Sequence, residues 1–301
     1  MKVKLFFLMC FLCTTCVLKA ADKPIIKITT NQVSLIYKVA DNGRLYQSYL
    51  GKRLNHDSDI SFLSTGTEAY ITHGLEDYFE PAIHLLHNDG NPSLLLKYAS
   101  HSVNRVSPGV EETIITLQDD KYPVTVLLHY VAYEKENLIK TYTEISHKEK
   151  KPVVLEKYAS SMLHLNRNNY LLTEFSGDWA SEVRLKEVPL EFGKKVLDSK
   201  LGSRANMFCS PFFQLALDGK ADENNGEVIV GTIGWTGNFS FVFEIDNKNQ
   251  LRILSGINPY ASAYHLKPNE VFRTPISTSL TASTEREKPV EISMIGHVLI
   301  R

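Results

Sequence analysis

Two pairs of acidic residues, Asp178 with Glu182 and Glu187 with Glu191, are close enough in sequence to suggest paired carboxylates. Carboxyl groups held ~5 Å apart can cleave a glycosidic bond, one as nucleophile and the other as acid and base. The chain has 34 Asp and Glu in all, so sequence proximity selects none of them. Acidic turns are the simpler reading, and no catalytic residue is assigned. His84 and His87 have an H-x-x-H spacing, but they lie in a strand-like run where i and i+3 face opposite sides, which argues against shared metal ligation. His129, His147, His164 and His265 also lie in strand-like contexts and read as hydrogen-bonded structural residues. Asp218, Asp222, Glu223 and Asp246 offer hard oxygen ligands without the spacing of a calcium loop, and Asp222 to Gly226 reads as a solvated hairpin turn. No metal site and no cofactor are expected. H-E-x-x-H, G-x-S-x-G and a Gly-rich phosphate loop are all missing from the sequence. Asn238-Phe239-Ser240 fits the glycosylation triplet, a weak signal by itself. Trp179 and Trp235 remain, and an indole can stack on the apolar face of a sugar at little entropic cost. Trp179 follows Gly177-Asp178 in a turn-like setting that would expose it, whereas Trp235 at a strand end reads as core. The plainer role for both is structural.

The elements that must position these residues are strands. Short runs rich in Val, Ile, Leu, Thr and Tyr recur along the chain, separated by Gly, Asn, Asp and Pro clusters. The expected strands are Ile25 to Thr29, Val33 to Val39, Arg44 to Leu50, Leu94 to Tyr98, Glu112 to Leu117, Val124 to Tyr133, Leu138 to His147, Val228 to Ile233, Phe239 to Ile245 and Leu251 to Ser255. Phe239, Phe241, Phe243 and Ile245 alternate with Ser240, Val242 and Glu244, which puts the first four on one face of a sheet. Asp41-Asn42-Gly43 and Asn88-Asp89-Gly90-Asn91 tolerate positive φ and read as tight turns. No stretch of a dozen residues has a capped helical period, so an all-β chain with two large antiparallel sheets packed face to face is expected.

Composition narrows the functional class. The net charge is −1 and no stretch concentrates Lys and Arg, which excludes a phosphate-backbone partner. A hydrophobic content of 43%, with 14 Tyr and 14 Phe, supplies a packed core for one large β domain. Lys2 and Lys4 precede an apolar run, Leu5 to Leu18, with small residues at Ala20 and Ala21, the pattern of a secretory signal over residues 1–21. About 14 apolar residues make a helix of roughly 21 Å, short of a ~30 Å hydrocarbon core, so a membrane anchor is disfavoured. Cys16 lacks the flanking residues of a lipid-attachment motif. Cys10, Cys13 and Cys16 would leave with the signal, so Cys209 remains alone and an intrachain disulfide is excluded. A secreted, periplasmic chain with no membrane attachment after signal removal is the expectation.

An ordered series of turns adds a further reading. Ser176-Gly177-Asp178-Trp179 with Glu182 is followed by Ser199-Lys200-Leu201-Gly202-Ser203 and Pro211-Phe212-Phe213. Then come Asp222-Glu223, Gly226-Glu227, Thr236-Gly237-Asn238-Phe239, Gly256-Ile257-Asn258-Pro259 and Leu266 to Pro275 as L-x-P-x-E-x-F-x-T-P. Each motif is weak alone, and their shared order carries the weight. Together they resemble the N-terminal β-supersandwich of the family 36 glycoside hydrolases, the α-galactosidases, with weaker similarity reaching back through Asp77 to Ala82 and Asn88 to Gly90. The resemblance implies a galactose-mutarotase-like supersandwich over residues 22–280 that packs beside a catalytic barrel and often takes part in homo-oligomer contacts. In that family the two catalytic aspartates lie on barrel strands, so it gives no residue here a catalytic role. It brings Asp178, Trp179, Asn238 and Asn258 forward as substrate-contact candidates for α-galactosides. Arg204 to Cys209 departs from the family pattern, which puts any contact made there in doubt. Residues 281–301 read as a short, nonnative tail.

The expectation is therefore a noncatalytic N-terminal domain of a secreted α-galactosidase. The alternatives are a stand-alone carbohydrate-binding module or an assembly domain for a separately encoded barrel. An enzyme of mutarotase type would need a histidine and a carboxylate converging in one groove.

Overall fold

The computed structural model describes residues 23–74, 79–222 and 225–284. Residues 1–22, where a secretory signal is expected, together with residues 75–78, 223–224 and 285–301 lie outside the described residues. Strands β1 (Ile25–Thr29), β2 (Val33–Val39), β3 (Leu45–Lys52) and β4 (Thr67–Glu68) form a four-stranded antiparallel sheet. One short helix, α1 (Asp57–Ser61), interrupts it between β3 and β4. A six-stranded sheet contains β5 (Ile83–Leu86), β10 (Val153–Asn166), β13 (Gly193–Asp198), β16 (Phe239–Ile245), β17 (Gln250–Ile257) and β18 (Tyr264–Leu266).

The third sheet is ten-stranded. Its order is β12 (Arg184–Pro189), β11 (Tyr170–Ser176), β14 (Cys209–Leu217), β15 (Gly226–Gly234), β20 (Ile276–Thr284), β9 (Leu138–His147), β8 (Val124–Tyr133), β7 (Val110–Asp119) and β6 (Leu96–Ser107). The tenth strand, β19 (Val271–Arg273), pairs with the far end of β9. The two face-to-face layers expected from sequence are present, with one layer divided between two separate ladders. Strand β20 continues in register with β15 as far as Thr284 opposite Gly226, which corrects the boundary placed at residue 280.

Two cores lie between the layers. Ile26, Ile28, Leu35 and Tyr37 of the small sheet meet Ile115, Leu117, Val126 and Leu128 of the long sheet in the first. The second joins Leu172, Phe213, Leu215 and Ile229 to Phe241, Phe243, Ile245 and Ile253. Alternation in β16 accounts for this. Phe239, Phe241, Phe243 and Ile245 point into the second core, as expected, while Val242 on the opposite face belongs to the first. Every residue of β16 is buried. Phe213 is the hub of the second core, with its ring edge-to-face against Phe241 at 5.2 Å and Phe243 at 4.9 Å. Gly231 lies opposite Phe213 on β15, where a Cβ would come within 2.2 Å of the Phe213 ring.

Candidate functional site

Strand register brings several loops to one end of the second core. Ser176, at the end of β11, pairs with Cys209 at the start of β14, and Gly234 closes β15. Asp198, at the end of β13, pairs with Ser240 at the start of β16, where Phe239 faces Ile257 at the end of β17. The turns holding Asp178-Trp179, Met207-Phe208, Trp235 to Asn238 and Asn258 to Tyr260 therefore share one rim.

The β11–β12 hairpin closes through reciprocal backbone bonds between Asp178 and Ser181, and Asp178 Oδ1 accepts from the Trp179 N–H at 2.7 Å. Gly177 N–H donates to Phe208 O at 3.1 Å, tying this tip to the neighbouring loop. Trp179 is 88% exposed at the tip, as its turn-like setting predicted. Asp178 shapes the turn and is itself exposed.

Asn238 and Asn258 come together. The Asn258 N–H donates to Asn238 O at 3.0 Å, and Asn238 Oδ1 accepts from the Gly202 N–H at 2.7 Å. Asn258 Nδ2 donates to Asp198 Oδ2 and Ser199 O, both at 3.0 Å, while its Oδ1 accepts from the Tyr260 N–H. Asn258 is buried, its side-chain amide tying the Asp198–Ser199 segment to its own turn while its backbone N–H reaches the Asn238 turn. Both asparagines brace the rim; Trp179 is presented by it.

Sequence reasoning missed several rim residues. Trp235, expected in the core, is 41% exposed, because its ring folds over Gly237 at the turn instead of pointing between the layers. Phe208 and Tyr260 are exposed as well. The available signal was that these aromatics lie in non-alternating segments flanked by Gly, Asn or Pro.

Beside the rim an open groove of about 200 Å³ crosses the face of the six-stranded sheet opposite the second core. Val196, Ser240, Val242 and Gly256 form its floor, and Glu80 and Asp198 its acidic walls. Lys157 and Lys194 both bind Glu80. Burial alone would raise the Glu80 carboxyl pKa, but the two lysines outweigh it and hold the group below its ordinary value. Next to the groove, His164, Arg252, Glu244 and Lys194 stand in one cross-strand row. A mutarotase-type reading requires a histidine and a carboxylate converging in one groove, whereas Arg252 stands between His164 and Glu244 in this row. Only Lys194 of the four lines the groove, and Phe79 stacks on Arg252 at 3.1 Å. The Glu80 N–H donates to Glu244 Oε2 at 2.9 Å, sealing the row further. Burial, then the nearby Arg252 charge, pushes the His164 pKa down to about 3. The three buried members, His164, Arg252 and Glu244, therefore form a structural brace.

The remaining polar candidates serve local structure. His84 pairs with Glu156 at 2.9 Å and stacks on His73, whereas His87 bonds Glu149 at 2.7 Å and stacks on Tyr122. The two rings thus have separate partners. Asp222 and Asp246 accept backbone N–H groups within their own turns, and Glu187 pairs with Lys220 at 2.8 Å. Among the described residues no group of three or more His, Cys, Asp or Glu is arranged to hold a metal.

A layered all-β domain with an aromatic rim and a closed polar row belongs to the supersandwich class. Residues 36–267 match the Glycosyl hydrolase family 36 N-terminal domain, and the chain belongs to that family. It is 28% identical over 233 residues to alpha-galactosidase AgaA of Geobacillus stearothermophilus, covering 72% of this chain and 32% of that protein. Alpha-galactosidase 2 of Pediococcus pentosaceus is 29% identical over 221 residues, covering 68% and 30% respectively. This chain therefore spans about a third of the length of the curated relatives it matches. The fold superposes on a solved AgaA variant in complex with raffinose at a TM-score of 0.80, with 23% identity over 87% of this chain and 41% of that one. AgaB from the same organism gives 0.79, with 24% identity over 86% and 40%.

Proposed function

We propose that this chain is a noncatalytic accessory domain of a secreted α-galactosidase, exported by residues 1–21, whose rim serves an α-galactoside-cleaving barrel. Family membership supports this reading, and the observation that carries it is the separation of roles at the rim. Asn238, Asn258 and Asp178 are consumed in shaping the turns, while Trp179 is held out with its ring uncovered. Burying so large an apolar ring is worth about 1.5–3 kcal/mol, so leaving it in water favours a surface waiting for a sugar or a protein. The two groove carboxylates are both engaged, Glu80 with Lys157 and Lys194 and Asp198 with Lys200 and Asn258, which supports a bracing role over an acid and nucleophile pair.

Purified chain should not hydrolyse an aryl α-galactoside, and turnover that co-purifies with the chain to homogeneity overturns the proposal. Calorimetry with galactose, melibiose and raffinose distinguishes a stand-alone binding module from a barrel-docking domain. Heat that disappears in W179A selects the former. Co-purification of a barrel polypeptide without sugar binding selects the latter.

A further inference from the structure

The groove beside the rim has a polarity along its length that bracing does not use up. Strand register lays its floor in two parallel rows. Val196, Val242 and Leu254 oppose one another across β13, β16 and β17, and one step along the same face come Asp198, Ser240 and Gly256. Successive rows on one face lie about 7 Å apart, so Lys194, one step beyond the apolar row on the other side, starts about 13 Å from Asp198. At the Lys194 end two ammonium groups, Lys157 and Lys194, share the single carboxylate of Glu80, which leaves one positive charge in excess and N–H donors to spare. At the other end Asp198 Oδ2 accepts from Lys200 and Asn258, whereas Oδ1 accepts from none of the described residues. Ser240 beside it is only 8% exposed, and its hydroxyl has no partner among the described residues. Gly256 adds no side chain at that end, and a Cβ there would come within 3.3 Å of the β10 backbone.

We infer that this groove binds a small hydroxylated carboxylate with the chemistry of a hexuronic acid. The ligand carboxylate takes the spare donors of Lys157 and Lys194, a charge-assisted contact stronger than a neutral hydrogen bond. The C–H face of its ring covers Val196, Val242 and Leu254. Two neighbouring ring hydroxyls reach Asp198 Oδ1 and the Ser240 hydroxyl, whose residues are paired across adjacent strands about 5 Å apart. A volume of about 200 Å³ suits a molecule of monosaccharide size. A neutral sugar would leave the excess charge at the lysine end unmet. A plain aliphatic acid would cover Asp198 Oδ1 and the Ser240 hydroxyl without giving either a partner, at the cost of desolvating them. A cationic ligand is disfavoured because the lysines hold one end and Lys200 already faces Asp198 at the other. Trp179 takes no part, so the groove goes beyond the barrel-serving rim and stands without it.

Calorimetric titration of the full chain with D-galacturonate should show saturable binding. Galactose, which lacks the carboxylate, and hexanoate, which lacks the hydroxyls, should each bind at least about tenfold more weakly. K194M, altered at a half-exposed side chain and leaving Glu80 its pair with Lys157, should keep the circular dichroism of the parent and lose about tenfold in galacturonate affinity. S240A removes a hydroxyl that bonds nothing in the protein, so the fold should stand while affinity falls about threefold. W179A should bind galacturonate as the parent does, so a failure of the rim reading and a failure of the groove give different results. An absence of saturable galacturonate binding, equal binding of galactose or hexanoate, or full affinity in either K194M or S240A overturns the inference. Loss of galacturonate binding in W179A would place the site at the rim and overturn the groove as well.

Discussion

The second core and the rim above it are built from the same strands and enriched in the same residue type, yet they treat aromatic side chains in opposite ways. Phe213, Phe241 and Phe243 lock edge to face between the layers, whereas Trp179, Phe208 and Trp235, a few residues further along connected strands, stand at least partly in water. Strand alternation explains the first set: every second residue of β14 and β16 must face the core. Once the chain leaves the ladder, that constraint ends and the turn decides where the ring goes. The core aromatics should therefore govern stability and the rim aromatics should not, a contrast that substitutions can break.

The largest effect is expected at Phe213. F213A removes the hub ring and should destabilise the domain by about 3–5 kcal/mol in urea unfolding. G231A acts on the same contact from the other side by overpacking it, at a cost of about 1–3 kcal/mol. Because the two residues touch, the double variant should lose less than the sum of the single losses. Additive losses would show that Phe213 does not occupy the space above Gly231.

Next is His164, buried beneath the small sheet, where its backbone bonds Gln47. Burial and Arg252 keep its ring neutral down to about pH 3 in the folded state. The unfolded chain takes up that proton below about pH 6.5. Stability should therefore fall as pH drops from about 6.5 towards 3, with roughly 3 kcal/mol lost by about pH 4. H164Q cannot take up this proton, so it should flatten that part of the urea midpoint against pH. An unchanged acid slope in H164Q would mean that other groups set it.

Much of the comparison could be read from the sequence, and the unread part has identifiable causes. Strands β1, β2, β8, β9 and β16 have the bounds expected from their residue patterns. Strand β10 escaped notice because it is buried on both faces over most of its length and shows no alternation for a period to detect. The end of β20 was misread as tail because its Thr and Ser residues look loop-like until β15 lies beside them. At the rim, the turn that exposes Trp179 was visible in Ser-Gly-Asp-Trp. The bracing role of Asn258 was not, because it depends on Asp198 and Ser199, about sixty residues away in the chain. Trp235 was misplaced because strand proximity was taken for burial, and a ring that follows the last paired residue is free to fold back over a glycine.

A smaller effect is expected at Asn258. N258A leaves the Ser199 carbonyl without its buried donor and loosens the loop that meets Asn238, at a cost of about 1–3 kcal/mol. If the rim is only scaffolding, the loss should end with stability. If the rim positions Trp179, N258A should also weaken whatever W179A weakens, at temperatures where both variants remain folded.

W179A is the smallest perturbation of the fold and the most informative about the rim. With the indole 88% exposed and the hairpin closed by backbone bonds at Asp178 and Ser181, removing the ring should change unfolding stability by less than about 0.5 kcal/mol. A loss as large as that of F213A would mean that Trp179 packs against the domain and would erase the distinction between core and rim. A stability-neutral W179A that abolishes the heat of raffinose binding, or the capture of a barrel polypeptide, would place the ring in a binding contact. W179F separates those two partners further. A sugar stacked on the indole face should tolerate phenylalanine with a modest loss, because the smaller ring still offers an apolar face. A protein pocket shaped around an indole should not, because truncating a central aromatic anchor removes a contact that the rest of an interface cannot replace.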